Sequence, residues 1–184
     1  LGSSEFINGK IRYCLWLKEV SPSVIRKMKW VMRRIELCRD ARLSSPDKGR
    51  QKLADTPQLF RETLNPSHYV AIPKVSSERR RYIPMGWLDD SVIPGNQLHI
   101  IPDATLYHFG VLTSRVHMAW MRRVGGRLKS DYRYSNTIVY NTFAWPEPSA
   151  KQRERIEQTA QAILDARAKY PTTSLADLYN DTLM

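Results

Sequence analysis

The stretch TSRVHMAWMRRVGGRLKSDYRYS, residues 113–135, joins the two local patterns on which our prediction of the fold depends. Thr113 and Ser114 are typical N-cap residues, and they predict a helix that runs to about Val124. The apolar residues available for one face of this helix are Val116, Trp120 and Met121. The glycine pair 125–126 predicts the end of the helix, with a left-handed residue after the last turn.

A basic segment, GRLKSDYRYS, follows directly at residues 126–135. It places the cations Arg127, Lys129 and Arg133 around one acid, Asp131, with Tyr132 and Tyr134 between them. Arginine and lysine donate to phosphates and to guanine, an aspartate accepts from the cytosine amino group, and tyrosines contact sugars, bases or phosphates. An acid inside a basic run can therefore discriminate between partners. The alternative is a solvated loop in which Asp131 pairs locally with Lys129 or Arg133.

The charge of the chain is the strongest feature of its composition. The 184 residues include 29 Lys and Arg against 18 Asp and Glu, which gives a net charge of +11. From residue 151 onward five basic residues face five acidic ones, so the excess lies in residues 1–150. A domain this basic commonly binds a polyanion, either nucleic acid or an anionic membrane.

The composition also predicts where the protein resides. No apolar run reaches the roughly 18 residues of a spanning helix, and no signal peptide pattern opens the chain, so we expect no membrane segment. Cys14 and Cys38 lie in patterns typical of a buried strand and a helix face, and two buried thiols fit a reducing cytoplasm. The chain begins with Leu rather than Met, and we expect it to be an excised piece of a longer protein.

The remaining patterns predict an α+β fold, with a mixed or antiparallel sheet and flanking helices, followed by a small helical C-terminal appendage. The predicted strands are residues 10–17, 69–75, 82–88, 97–102 and 137–143. Pro73 places the second of these strands at a sheet edge or a bulge. Residues 44–51 are predicted as a loop and Thr56 as the start of a helical turn. Ser149 with Gln152, and Ser174 with Asp177, predict the appendage helices, so we divide the chain into residues 1–146 and 147–184.

A second basic element follows Ser21-Pro22, which are typical of a helix start. Its apolar stripe is Val24, Met28, Val31, Ile35 and Cys38. The other faces carry Arg26, Lys27, Lys29, Arg33, Arg34, Arg39 and Arg42. The pattern fits either a solvated amphipathic helix or a helix that lies along a phosphate backbone, and Trp30, which falls off the stripe, weakly favours a contact surface.

Catalytic motifs are missing from the sequence. It contains neither GxGxxG nor GxxxxGK[ST], so neither common phosphate-binding loop is present. His68, His99, His108 and His117 are too far apart for a metal motif of the i, i+4 type. We therefore predict no catalytic residue, no metal site and no cofactor site in this chain.

Five blocks, in this order, resemble the target-recognition region of MmeI-like enzymes. They are RYCLWL (12–17), RYIPMGWLDD (81–90), ATLYHFGVLTSRVHMAWMR (104–122), GRLKSDYRYS (126–135) and YNTFAWP (140–146). The tail, IEQTAQAILDAR through SLADLYNDTLM, is similar to the helical segment that follows this domain in the family. Such enzymes join a nuclease, an adenine-N6 methyltransferase and a DNA-reading domain in one chain. The resemblance implies a bacterial restriction-modification protein whose methyltransferase domain, elsewhere in the longer chain, uses S-adenosylmethionine.

The resemblance also implies which residues read DNA. Lys129 and Asp131 match a pair that sets one base pair, with Lys129 on guanine and Asp131 on the paired cytosine. Arg133 matches a further specificity position, and a second pair is placed at Arg81 with Asp103. The other implied contacts are Ala104 near a base, and Arg79, Arg80, Arg127, Tyr132, Tyr134 and the helix arginines on the DNA backbone. The implied partners are double-stranded DNA and the methyltransferase domain of the same chain.

Two other functions fit the composition. A non-specific RNA-binding or single-strand-binding module would stack bases on its tyrosines. A scaffold would use the basic face to bind an acidic protein, although cation–acid pairs in two separate segments argue against it. Binding to duplex DNA, single strands and RNA at two salt concentrations discriminates between them.

Overall fold

The computed structural model describes residues 1–180, and these form two compact units. The first unit combines Leu1–Arg12 with the chain from Asn65 onward, and the second is Tyr13–Leu64. The helices are α1 Ser3–Asn8, α2 Pro22–Lys27, α3 Lys29–Leu43, α4 Lys48–Lys52, α5 Leu106–Leu112, α6 Arg115–Val124, α7 Ala150–Ala168 and α8 Leu175–Leu178. The strands are β1 His68–Pro73, β2 Val75–Ser76, β3 Gly86–Asp89, β4 Leu98–Pro102, β5 Gly126–Leu128 and β6 Asp131–Arg133. The predicted α+β class is confirmed.

Two small antiparallel sheets form the β part of the first unit. One has the strand order β3-β1-β4, and the other has the order β2-β6-β5. Strand β1 lies in the centre of its sheet and is buried from Tyr69 to Pro73, so the predicted edge position was wrong. Pro73 is the last residue of β1, and its missing N–H therefore interrupts no bond in the middle of the ladder.

Two apolar clusters hold this unit together. The larger one contains Val70 and Ile72 of β1, Met118 and Met121 of α6, and Ala160 of α7. The smaller one contains Phe6 and Ile7 of α1 with Tyr69, Ala71 and Leu98. Because Ala160 belongs to the larger cluster, α7 packs in the same core as β1 and α6. The division of the chain at residue 146 stays a prediction.

Three predicted strands differ from the structure. Residues 10–17 form no strand, and the side chains of Ile11, Tyr13 and Leu15 are exposed rather than covered by a sheet. Cys14 is accordingly exposed rather than buried. The strand predicted at 82–88 is shorter and shifted, and forms over Gly86–Asp89.

The third difference is at residues 137–143, where a π-helical turn, Asn136–Tyr140, replaces the predicted strand. Ser135 caps this turn by accepting a hydrogen bond from the backbone N–H of Ile138. The backbone N–H of Asn141 then donates to the carbonyl of Asn136 at 2.8 Å. The cap outweighs the β propensity of the Thr-Ile-Val run, since propensity is a weak local preference.

Helix α6 begins at Ser114 as predicted but buries a different face. Its buried side chains are His117, Met118 and Met121, whereas Val116 is 70% exposed. Gly125 ends the helix in an extended conformation, with φ −67° and ψ 146°, so the predicted left-handed residue was wrong. Glycine is required there by close approach, because a Cβ on Gly125 would lie 2.5 Å from the carbonyl oxygen of Met121. Helix α5, capped by Thr105 and His108, was not predicted.

The C-terminal helices begin where the capping residues predicted. Ser149 and Gln152 form a reciprocal box at the start of α7, and the Ser174 side chain accepts from the Asp177 N–H at the start of α8. Arg167 of α7 donates to the carbonyl of Met85 at 2.7 Å and to the hydroxyl of Tyr179. Residues 181–184 of the predicted segment lie outside the described residues.

The second unit, Tyr13–Leu64, is helical. The Ser21 side chain caps α2, and Met28 (φ −95°, ψ 84°) separates the end of α2 at Lys27 from the start of α3 at Lys29. Asp47 caps α4 in the stretch predicted as a loop. A 3-10 turn, Leu53–Asp55, follows, and a hydrogen-bonded turn then begins at Thr56 as predicted, with the Leu59 N–H donating to the Thr56 carbonyl at 3.0 Å. The predicted apolar stripe is divided between two helices: Val24 lies on α2 and is exposed, whereas Val31, Ile35 and Cys38 lie on α3 and are half-buried. Arg42 ties α3 to the following segment by donating to the carbonyls of Leu53, Thr56 and Leu59.

Candidate nucleic-acid interface

The basic segment forms a hairpin rather than a loop. Strands β5 and β6 pair Arg127 with Tyr132 and Leu128 with Asp131, so Lys129 and Ser130 make the turn. Lys129 adopts the left-handed conformation, with φ 57°. Arg127 fixes the turn by donating to the Ser130 carbonyl at 2.8 Å, while its guanidinium lies 3.9 Å from the centre of the Tyr132 ring. The hairpin therefore presents Lys129 at its tip on a braced turn.

Asp131 is half-buried beside the loop formed by residues 77–81, which we call the arginine loop. Its Oδ1 accepts a hydrogen bond from the backbone N–H of Glu78 at 3.3 Å. Within residues 1–180 Asp131 forms no ion pair with Lys129 or Arg133, so the locally paired alternative is not the arrangement found. The carboxylate is oriented by a backbone group and remains an acceptor.

The arginine loop is joined to the hairpin by sheet pairing and by side chains. Ser76, the residue before the loop, pairs with Tyr132. At the other end of the loop, the Arg122 guanidinium of α6 donates to the carbonyl of Arg81. Arg79 and Arg81 are exposed, whereas Arg80 is half-buried. The structure therefore ties the start of the arginine loop to β6 and its end, at Arg81, to α6.

Asp103 lies in the turn after β4, where its backbone N–H donates to the carbonyl of His68 at 3.1 Å. It is exposed and has φ 52°. Asp103 and Lys129 are the non-glycine residues with positive φ in the described part of the chain. Such conformations cost free energy and often occur at functional sites. The neighbouring Ala104 is 7% exposed and lies in the larger core cluster, so its side chain does not reach the surface.

The two tyrosines of the hairpin segment have different positions. Tyr134 is 2% exposed, and its hydroxyl lies 2.9 Å from Nε2 of His117 inside the core. Burial raises the pKa of Tyr134 and lowers the pKa of His117 to about 4. The side chain of Tyr134 therefore cannot contact a DNA backbone in this structure. Tyr132 is half-buried, and the guanidinium groups of Arg127 and Arg122 lie 3.9 Å and 5.9 Å from the centre of its ring.

Seven exposed cations lie on the arginine loop, the hairpin and the last turn of α6. They are Arg79, Arg81, Arg122, Arg123, Arg127, Lys129 and Arg133. Among described residues, only Arg127 of this set pairs with an acid, at 4.0 Å from Glu78. A largely unpaired cationic surface with one oriented carboxylate can bind a polyanion and also accept a hydrogen bond from it.

The second unit has a basic surface of its own. Arg26, Lys27, Lys29, Arg33, Arg34 and Arg39 are exposed on α2 and α3. None of these six forms an ion pair within the part of the chain that the structure describes. Trp30 on α3 is 77% exposed, as its position off the apolar stripe predicted.

Sequence reasoning missed Glu78 and Arg122 as parts of the site. Glu78 contributes its backbone N–H, which any residue except proline could supply, and Arg122 resembles any other cation on an exposed helix face. Their contacts span 53 and 41 positions of the chain. No local pattern signals contacts of that separation.

Residues 1–180 show neither a metal-binding cluster nor a membrane-spanning helix. These residues contain no group of three or more His, Cys, Asp or Glu side chains that could hold a metal ion. No helix in the same range is long and apolar enough to cross a membrane.

Comparison with known proteins identifies the family. The family model described as "MmeI, target recognition domain" matches residues 1–147, and "MmeI, C-terminal domain" matches residues 148–184. DNA methyltransferase A of Bacillus subtilis (strain 168) is 46% identical over 185 residues; the match covers 100% of this chain and 21% of that protein. The solved structure of the type IIL restriction-modification enzyme MmeI in complex with DNA superposes with a TM-score of 0.97 at 46% identity, and covers 100% of this chain and 25% of that one. This chain therefore belongs to the MmeI target recognition domain family.

Proposed function

We propose that this chain recognises a specific sequence in double-stranded DNA on behalf of a longer DNA adenine-N6 methyltransferase and restriction enzyme. The chain spans about a fifth to a quarter of the length of its relatives. The solved relative is described in complex with DNA, which supports DNA as the partner. The methyltransferase domain of the longer protein would supply S-adenosylmethionine and the chemistry, in the bacterial cytoplasm, as part of a defence against foreign DNA.

The proposal rests on the way Asp131 is held: it has a hydrogen bond from a backbone N–H and, within residues 1–180, no ion pair. An aspartate amid cations normally pairs with one of them, yet this carboxylate is held by the Glu78 N–H instead. Lys129 projects from the tip of a two-stranded ribbon, an element that fits the major groove of B-DNA. Lys129 would donate to O6 or N7 of a guanine, and Asp131 would accept from the amino group of the paired cytosine.

A second G·C pair would be read by Arg81 and Asp103. Both are exposed, and together they again combine one cation with one acid. Arg133, on the strand that carries Asp131, would contact a further base. We leave Ala104 out of the base-contacting set, because its side chain is covered by the core.

We propose DNA-backbone contacts for a different set of residues from the set that the sequence predicts. Arg79, Arg80 and the cations of α2 and α3 would neutralise phosphates, which positions the protein without specifying sequence. Arg127 is better suited to bracing the hairpin, since it already contacts Ser130, Glu78 and Tyr132. Tyr134 would make no backbone contact because it is buried, and the Tyr132 ring would support Arg127 and Arg122.

Selection from a randomised duplex library by the full-length protein tests this function. We expect enrichment of one sequence that contains at least two fixed G·C pairs, and weaker binding to single-stranded DNA and to RNA. Binding that is tighter to single strands or RNA would favour the stacking alternative and contradict the proposal. That alternative has lost support, because Tyr134 is buried and one face of Tyr132 is covered by Arg127.

A further inference from the structure

The arginine loop and the hairpin are neighbours in the second sheet. Strand β2 pairs Val75 with Arg133 and Ser76 with Tyr132, and the chain leaves the sheet directly after Ser76. The loop therefore starts alongside Asp131 and has to return to Tyr82. Its start is fixed by sheet pairing, but its far end, where Arg81 lies, is beyond the sheet.

Contacts to the start of the loop come from the hairpin. Asp131 accepts from the Glu78 N–H, and Arg127 lies 4.0 Å from the Glu78 carboxylate. Inside the loop, the Arg80 N–H donates to the Ser77 carbonyl at 3.1 Å, and the Arg79 N–H donates to the Ser77 hydroxyl. These bonds close a turn over residues 77–80 and leave Arg81 outside it.

The far end of the loop is held by α6. The Arg122 guanidinium donates to the Arg81 carbonyl, and the same group lies 5.9 Å from the centre of the Tyr132 ring. Met121, the residue before Arg122, is fully buried, so the helix that presents the guanidinium is itself fixed in the core. The Arg122 side chain thus contacts both Arg81, an exposed residue of the loop, and Tyr132 of the hairpin.

We propose that Arg122 is a positioning residue that holds Arg81 in a fixed relation to the Lys129–Asp131 hairpin, so that the two sets of residues read DNA as one rigid surface. This inference rests on the proposed function. Arg122 acts through the carbonyl of Arg81 and need not touch DNA. Loss of its guanidinium leaves the backbone at Arg81 without that anchor, whereas the hairpin keeps its own pairing and its Arg127 brace.

The test uses the full-length protein and selection from a randomised duplex library. Arg81→Ala first identifies the base pair whose preference depends on Arg81. Arg122→Met should then lower discrimination at that same base pair about tenfold, the size expected for losing a hydrogen bond to a charged donor. Preference at the base pair that depends on Lys129 and Asp131 should change much less.

Arg123→Met is the matched control. Arg123 is the next residue on α6, is exposed and has the same charge, but its side chain makes no hydrogen bond or ion pair within residues 1–180. It should weaken binding to all duplexes alike and leave discrimination unchanged. If Arg122→Met behaves in the same way, Arg122 contributes only charge and the inference is overturned.

Arg122→Lys guards against a folding defect. Lysine retains a donor for the carbonyl, so this variant should recover most of the discrimination, and its thermal unfolding should match that of the wild type. If Arg122→Met does not fold, Arg122→Ala is measured in its place, with the same loss expected. A folded Lys variant that loses as much discrimination as the Met or Ala variant would overturn the inference. A wild-type protein without any sequence preference would instead refute the proposed function itself.

Discussion

Asp131 and Glu78, which are 53 positions apart, are joined by a 3.3 Å hydrogen bond from the backbone N–H of Glu78 to the Asp131 carboxylate. The bond links the hairpin to the arginine loop, and within residues 1–180 the carboxylate has no cationic partner. A group that is oriented but not neutralised can still accept a hydrogen bond from a base. This relationship underlies the assignment of Asp131 to base reading.

Replacement of Asp131 separates its two roles. Asp131→Ala should remove the acceptor for cytosine and lower discrimination at one base pair by about 1–3 kcal/mol. Asp131→Asn keeps an oxygen for the Glu78 N–H, so its thermal stability should stay near that of the wild type. Binding titrations with the selected duplex and its single-base variants measure the first effect. Equal loss of affinity for all variants would show that Asp131 does not read a base.

Lys129 occupies a backbone conformation that favours glycine. A lysine in the left-handed conformation costs roughly 1 kcal/mol, whereas glycine adopts it without cost. Lys129→Gly should therefore raise the free energy of unfolding by up to about 1 kcal/mol while it abolishes the preference for guanine. Denaturant unfolding and duplex binding measure the two quantities. A variant that is both less stable and equally selective would contradict this account of the turn.

The helical unit should contribute affinity without specificity. Arg33→Ala combined with Arg34→Ala should weaken binding to every duplex. The slope of log K against log salt concentration should become shallower by roughly two, about one for each lost phosphate contact. Arg155→Ala, an exposed cation in the neutral C-terminal segment, is the control and should change neither quantity. An unchanged salt dependence in the double variant would show that α3 is a solvated helix.

The buried His117 predicts how stability depends on pH. Burial depresses its pKa from the unfolded value near 6.5 to about 4, so the folded state favours the neutral ring. The share of the unfolding free energy that depends on a neutral His117 is fully present above pH 6.5. It is lost as the pH falls toward 4, and the loss amounts to roughly 3 kcal/mol. Unfolding measured across this pH range should show this slope, and His117→Gln should show less of it. An identical slope in both proteins would assign the acid sensitivity to other groups.

Local features of the fold were predictable from the sequence. Ser114, Ser149 and Ser174 start helices where predicted, because a side-chain cap acts within three residues. Strand predictions that rested on residue type alone, without such a local contact, were wrong at residues 10–17 and 137–143. The apolar residues 10–17 resemble a strand but pair with no strand in the described structure, and the β-branched residues 137–139 follow a helix cap at Ser135.

The candidate site was only partly predictable, because its local residue types are visible in the sequence but its long-range contacts are not. The sequence indicated Lys129, Asp131 and Arg81 as candidates, but it carries no mark of the hydrogen bonds that Glu78 donates to Asp131 and Arg122 donates to Arg81. Tyr132 and Tyr134 are alike in sequence, yet only Tyr134 meets His117 in the core. Which of two neighbouring tyrosines is buried depends on packing against a distant helix.

If Lys129 and Asp131 read one G·C pair, exchanging their charges should exchange the bases that they prefer. The full-length protein carrying Lys129→Glu and Asp131→Arg is compared with the wild type by selection from a randomised duplex library. We predict that one position of the selected sequence changes from guanine to cytosine on the same strand, with the other positions kept. An unchanged selected sequence, bound with similar affinity, would contradict the assignment of Lys129 and Asp131 as a base-reading pair.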